Sequence, residues 1–183
     1  MDAQLPVLYL SLLLGLLGIA TWFIVRQILR TRRVETTLSR LQQKLRKEKG
    51  TAQEYYELGC IYTDKKLFSQ AVPPFQKALK AEDLPSEEAA LIYNALGFAY
   101  AAQEQYDLAI RQYKEALKLN ADYPIAYNNL GYAYEQKRLT SQALEAYEAA
   151  LKVSPDNATA KKRSESLRKR LAPLKGGLVK RNF

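Results

Sequence analysis

The sequence predicts an all-α protein in which one N-terminal transmembrane helix and a helical stalk precede a solenoid of stacked helix pairs. Two observations predict this fold class. Residues 3–25 carry no charged side chain, and a pattern of small and aromatic residues recurs farther along the chain around Gly59, Gly97 and Gly131. An uncharged apolar segment of that length is typical of a membrane span, and the period from Gly97 to Gly131 is typical of stacked helical repeats.

The first predicted element is the transmembrane anchor, residues 1–25. A helix that rises about 1.5 Å per residue over this segment is long enough to cross a hydrocarbon layer of about 30 Å. A secretory signal peptide would begin with basic residues, whereas this chain begins with Asp2 and has its basic cluster after the span. By the positive-inside rule, that cluster predicts a translocated N-terminus and repeats that stay in the compartment of synthesis. The cluster consists of Arg26, Arg30, Arg32 and Arg33.

The second predicted element is a basic helical stalk, residues 26–50. Neither Gly nor Pro interrupts residues 26–49, and one apolar stripe runs through Val34, Leu38, Leu41 and Leu45. The stripe suits a short coiled-coil or docking helix, but two heptads fall short of the three or four that a coiled coil needs. A solvated spacer whose stripe covers the first repeat is therefore favoured. Its basic residues favour an anionic membrane surface.

Three copies of one residue pattern follow the stalk. The third copy comprises Tyr127, Leu130, Gly131, Tyr134, Ala143, Tyr147, Ala150 and Pro155. The second copy comprises Tyr93, Leu96, Gly97, Tyr100, Ala109, Tyr113 and Ala116. The first copy comprises Tyr55, Leu58, Gly59, Tyr62, Ala71, Phe75 and Ala78. This is the tetratricopeptide repeat (TPR) pattern with Tyr in the Trp position, and it predicts repeats at about 52–85, 90–123 and 124–157.

Two deviations from a regular array are also predicted. The first two copies are four residues farther apart than the last two, and the extra residues fall around 83–86. Pro85 should stop one helix and Ser86 should cap the next, which makes the first helix of the second repeat about one turn longer. After the third repeat, Asn157 should cap a helix over 158–172 that covers the last repeat, followed by a basic disordered tail at 173–183.

The charge pattern and the residue inventory exclude several function classes. Residues 51–157 hold ten basic and fifteen acidic residues, whereas residues 158–183 hold nine basic and one acidic, so the folded part is not basic. A nucleic-acid-binding domain would carry its basic patch on the folded part, so no nucleic acid is expected. The chain has no His and one Cys, Cys60, and it lacks a Gly-rich phosphate loop. We therefore predict no enzyme, no cofactor and no metal site.

The concave face of such an array is the expected binding surface for a partner protein. The positions that face this groove hold Tyr56, Cys60, Asn94, Phe98, Asn128 and Tyr132. Rings and side-chain amides suit a neutral segment, although ordinary helix surface or core explains each of these residues as well. Some TPR proteins hold a chaperone's terminal carboxylates in a Lys/Asn/Arg clamp. The matching positions here are Tyr56, Cys60, Asn129 and Ile125, so the clamp lacks its basic members and this ligand is not expected.

The layout of the whole chain resembles the TPR-type photosystem I assembly proteins of cyanobacteria and plastids. The resemblance is carried by the single anchor, the stalk residues 37–45 (TLSRLQQKL), the junction 47–59 (KEKGTAQEYYELG) and the three repeats. It implies a thylakoid protein with its repeats on the cytoplasmic or stromal side, which assists photosystem I assembly or stability through protein contacts. The alternative is a general membrane-anchored adaptor for protein import or envelope assembly in a non-photosynthetic cell.

Overall fold

The structure, a computed structural model, describes residues 4–177, and this part of the chain contains eight α-helices and no strand. The helices are α1 (Gln4–Lys47), α2 (Ala52–Asp64), α3 (Phe68–Ala78), α4 (Ser86–Ala101), α5 (Tyr106–Leu119), α6 (Pro124–Gln136), α7 (Thr140–Val153) and α8 (Ala158–Gly177). The chain divides into two compact units, Met1–Lys49 and Gly50–Phe183. The predicted all-α fold is confirmed.

The first unit consists of α1, a continuous helix of 44 residues that includes both the apolar segment and the stalk sequence. Within the described residues, α1 is the one helix whose length and composition would allow it to cross a membrane. Trp22 and Phe23 meet edge to face with their ring centroids 5.0 Å apart, and the Arg26 guanidinium lies 5.3 Å from the Trp22 ring. An aromatic pair followed by Arg is typical of the end of a hydrophobic span.

The second unit is built from three helix hairpins, α2–α3, α4–α5 and α6–α7, with α8 packed on α7. Each hairpin closes on a glycine of its first helix. A Cβ added at Gly97 would lie 2.6 Å from Cε1 of Tyr113, and one added at Gly131 would lie 2.8 Å from Cζ of Tyr147. Both rings are almost fully buried, at 1% exposure. The glycines are therefore required because the aromatic ring of the second helix occupies the space of a side chain.

The second repeat begins with a longer helix, as predicted. Helix α4 has 16 residues, whereas α2 and α6 have 13 each. The predicted cap was wrong by one position, because Pro85 is the N-cap residue and Ser86 is the first residue of the helix. Proline at this position has the extended φ and ψ of a cap, −60° and 145°, without providing a side-chain acceptor.

The turns within the three hairpins share one backbone conformation. Lys66, Glu104 and Arg138 have φ of 59°, 60° and 60°, the left-handed region that favours glycine. Each of them follows the glycine of its own repeat pattern by seven positions, so they occupy equivalent sites in the array. A non-glycine residue there costs on the order of 1 kcal/mol, so the hairpin packing must offset this strain in each repeat.

Helix α8 begins where its predicted cap places it. Oδ1 of Asn157 accepts a hydrogen bond from the backbone N–H of Ala160 at 3.0 Å. Ala160 and Leu167 are buried, at 0% and 2% exposure, in the same core cluster as Tyr147. Helical backbone continues to Gly177, past the end predicted at 172, so residues 173–177 of the predicted disordered tail are helical. Residues 178–183 of the predicted tail lie outside the described residues.

Candidate protein-binding groove

The first helices of the repeats form one layer of the array, because α2 contacts α4 and α4 contacts α6. Residues four apart along each of these helices form a stripe that recurs in every repeat. We call the set of these stripes the groove face. It consists of Tyr56, Cys60 and Asp64 on α2, then Asn94, Phe98 and the C-cap residue Ala102 of α4, then Asn128, Tyr132 and Gln136 on α6.

Two aromatic rings at the centre of the groove face are open to solvent. Phe98 is 45% exposed and Tyr132 is 42% exposed, and the two residues are equivalent in neighbouring repeats. Each ring contacts an aromatic residue at the start of the second helix of the preceding repeat. Phe68 meets Phe98 edge to face with centroids 6.1 Å apart, and Tyr106 lies beside Tyr132. Each ring therefore packs against an aromatic neighbour on one side and remains open to solvent on the other, as a binding anchor requires.

Two aliphatic residues outside the predicted set of groove residues extend this apolar surface. Leu91 is 44% exposed and Ile125 is 57% exposed, and each lies two helical turns before the ring on its own helix. Leu91 and Ile125 are equivalent in neighbouring repeats, as are Phe98 and Tyr132, so the register of the repeats was the signal that could have identified them. Exposed large apolar side chains at equivalent positions of adjacent helices form a patch rather than isolated surface residues.

The predicted amides, in contrast, are used inside the array. The Asn94 side-chain amide donates to the Tyr123 hydroxyl at 3.2 Å, and the Asn128 amide donates to Asn157 Oδ1 at 3.2 Å. Asn129 also donates to Asn94 Oδ1 at 2.9 Å. The Asn129–Asn94 bond joins the third repeat to the second, and the other two bonds reach the connection that follows each repeat, so both amides have a structural role. Oδ1 of Asn128 is buried and lacks a hydrogen-bond partner among the described residues.

At the α2 end of the groove face, Tyr56 and Cys60 are half-buried and lie against each other. Burial and the neighbouring Cys60 raise the pKa of Tyr56 to about 12. Burial also raises the pKa of the Cys60 thiol, although a hydrogen bond with Tyr56 opposes the shift. Because the reactive form of cysteine is the thiolate, Cys60 is protonated and unreactive at neutral pH. The described residues contain no cluster of side chains able to hold a metal ion.

Comparison with known families identifies tetratricopeptide repeats in this chain. Tetratricopeptide repeat profiles match residues 52–83 and 124–157, and a TPR repeat profile matches residues 99–137. Among solved structures, MamA superposes with a TM-score of 0.71 at 23% identity, covering 78% of this chain and 82% of MamA. The first TPR domain of RPAP3 bound to an HSP90 peptide superposes with a TM-score of 0.62 at 22% identity, covering 68% of this chain and 96% of that domain. At these identities the similarity shows the fold.

The chain also has relatives that are similar in sequence. The uncharacterized protein ycf37 of Cyanophora paradoxa is 42% identical, covering 57% of this chain and 60% of the relative. The chloroplastic TPR protein PYG7 of Arabidopsis thaliana is 36% identical, covering 96% of this chain and 58% of the relative. The chain thus spans about 60% of the length of these two proteins. The ycf37 protein of Guillardia theta is 38% identical, covering 67% of this chain and 70% of the relative.

These matches determine the class of protein. TPR folds bind other proteins and are not catalytic, so the chain is a protein-interaction scaffold and not an enzyme. The two ycf37 relatives and PYG7 are 36% to 42% identical to this chain, and the match to PYG7 extends over nearly all of it. The chain belongs to the ycf37 family of tetratricopeptide repeat proteins.

Proposed function

We propose that the groove face holds a segment of a partner protein, and that α1 anchors the array in a thylakoid membrane, where the contact assists photosystem I assembly or stability. The observation that carries the binding role is the exposed apolar patch of Leu91, Phe98, Ile125 and Tyr132, each more than 40% exposed. The photosystem I role rests on the family resemblance of anchor, stalk and repeats. The chloroplastic naming of PYG7 agrees with that role.

The exposed patch is costly for a protein without a partner. Each square ångström of apolar surface removed from water contributes about 25 cal/mol, so covering four large side chains offers several kcal/mol of gross binding energy. Rings that are already held by Phe68 and Tyr106 lose little side-chain entropy on binding. A partner that brings apolar side chains therefore gains affinity from this patch, while the surrounding polar surface adds mainly specificity.

The test of the groove is a double substitution of the two rings. Phe98→Ala with Tyr132→Ala should weaken binding by about 2 kcal/mol, roughly a thirtyfold rise in Kd, because aromatic anchors supply most of the energy of such interfaces. Tagged full-length chain is purified from mild-detergent membranes of a photosynthetic host, and the co-purifying photosystem I subunits are quantified by mass spectrometry against the wild type.

A matched control separates loss of the groove from loss of apolar surface in general. Leu119→Ala with Leu139→Ala removes two exposed apolar side chains that lie outside the groove face, and it should leave recovery unchanged. Both variants must retain wild-type helicity by circular dichroism. Equal recovery with the ring variant would refute the groove as the binding surface. Recovery of partners unrelated to photosystem I would instead favour a general membrane adaptor.

Membrane topology is tested separately. The four Arg residues that follow the apolar segment predict that the repeats lie on the cytoplasmic or stromal side. Protease added to sealed thylakoid vesicles of known orientation should digest the array when that side faces outward and should spare it in inverted vesicles. The reverse pattern would overturn the orientation, and release of intact protein by carbonate extraction would overturn the span.

A further inference from the structure

The groove face continues onto α8 with a change of charge. Lys162, Ser166 and Arg170 are four residues apart, and they stand one repeat interval after Asn128, Tyr132 and Gln136, respectively. All three α8 residues are exposed, whereas Ala160, Ser164 and Leu167 turn toward α7 and are buried. The capping helix therefore adds a fourth stripe to the groove face, and this stripe carries two cations.

These cations are not engaged in ion pairs within the described residues. Two other Arg side chains of α8 form ion pairs with the array. Arg163 Nη1 lies 3.6 Å from Glu135 Oε2, and Arg168 Nη2 lies 2.7 Å from Glu148 Oε1. In the part of the chain that the structure describes, no carboxylate pairs with Lys162 or Arg170. Their charge is also local, since the three repeats together carry more acidic than basic residues. On the other three stripes the single charged residue is Asp64, at the opposite end of the array.

We propose that the occupant of the groove is a peptide segment with apolar side chains followed at one end by carboxylates, seated so that the carboxylates meet Lys162 and Arg170. This inference rests on the proposed groove function and adds the chemistry and polarity of the partner. Charge complementarity determines both the chemistry and the direction of the peptide. A basic or neutral peptide end at α8 would leave Lys162 and Arg170 unpaired. An acidic peptide end at α2 would be repelled by Asp64.

The spacing of the helices sets the spacing of the motif. Packed helices lie about 8–10 Å apart, and an extended peptide advances about 3.3 Å per residue, so one helix corresponds to about three peptide residues. An apolar residue over Phe98 should therefore precede one over Tyr132 by about three residues. The first carboxylate should follow at a similar interval, opposite the stripe of α8.

The contribution of the carboxylates should be moderate and dependent on salt. Exposed ion pairs are weak individually, and their interaction is screened beyond about 8 Å at physiological ionic strength. We expect an acidic end to tighten binding by about tenfold at low ionic strength and by much less at physiological ionic strength. The apolar contacts should show little change with salt.

The test uses peptide probes and the full-length chain in detergent. The peptides of the first labelled set have two apolar residues three positions apart, then two randomised positions and then three acidic residues. In the second set, the corresponding amides replace the acidic residues. Fluorescence anisotropy should show about tenfold tighter binding of the acidic set at low ionic strength. Lys162→Gln with Arg170→Gln should abolish that preference and leave binding of the amide set unchanged.

Controls distinguish this inference from the general charge of the chain and from the groove itself. Arg111→Gln with Lys152→Gln removes the same charge from exposed positions on second helices and should preserve the preference for acid. Acidic and amide sets that behave alike with the wild type would overturn the inference, as would an equal loss in both charge variants. If neither set depends on Phe98 and Tyr132, the proposed groove function itself fails. If peptide binding depends on the two rings but not on the acidic residues, only the inference of an acidic partner fails and the groove function stands.

Discussion

Gly97→Ala is expected to lower the free energy of unfolding of the repeat array by about 3 kcal/mol, at the upper end for an overpacked core site. In an exposed helix the same change would stabilise by up to about 1 kcal/mol, because alanine is the better helix former. Here the new Cβ would lie 2.6 Å from Cε1 and 2.8 Å from Cδ1 of Tyr113. Because that ring is buried inside the array, it cannot move away into solvent. The steric term therefore outweighs the gain in helix propensity.

A double-mutant cycle tests that cause directly. Tyr113→Leu removes the ring atoms that meet the new Cβ, so Gly97→Ala in the Tyr113→Leu background should be neutral or stabilising. The unfolding of the four proteins in urea is monitored by circular dichroism. The slope of the unfolding free energy against urea concentration should be the same for all four proteins. A cost of Gly97→Ala that stayed the same in both backgrounds would show that the close approach of glycine and ring is not its source.

The parts of the fold that sequence could predict are those fixed by steric pairing at a constant interval. Gly59, Gly97 and Gly131 lie against aromatic rings at the positions of the repeat pattern, so recognition of the period located every hairpin. The start of α8 was predictable for a similar reason, because an asparagine at 157 supplies a local acceptor for the first turn. Such features depend either on residues that are close in sequence or on positions that recur at the repeat interval.

The groove was predicted less completely because exposure depends on what several helices leave uncovered. The register places Leu91 and Ile125 beside the groove face, two helical turns before Phe98 and Tyr132, but their exposure follows from the packing of helices on both sides. Conversely, Asn94 and Asn128 have the composition of binding residues, yet their amides bond to Tyr123 and Asn157 in the next connection. These partners are distant in sequence, and residue composition alone does not show which donors an array uses internally.

Deletion of residues 158–183 is expected to have the largest effect on the array, a loss on the order of 5 kcal/mol together with self-association. The array would lose the buried Leu167 and Ala160, and the core around Tyr147 and Ala150 would become exposed on one side. A buried leucine alone contributes about 3 kcal/mol. The ion pair of Arg168 with Glu148 adds little, since both side chains are substantially exposed.

The apolar origin of this effect is testable within α8 itself. In the array expressed without α1, Leu167→Ala should lower the free energy of unfolding by about 3 kcal/mol, whereas Ser166→Ala on the exposed side of the same helix should change it by less than about 0.5 kcal/mol. Light scattering should show association of the shortened array, because the uncovered face of the last repeat becomes an exposed apolar surface. A shortened array that remained monomeric with an unchanged melting temperature would show that α8 is not the cap. Equal effects of Leu167→Ala and Ser166→Ala would show that burial against α7 does not hold the helix in place.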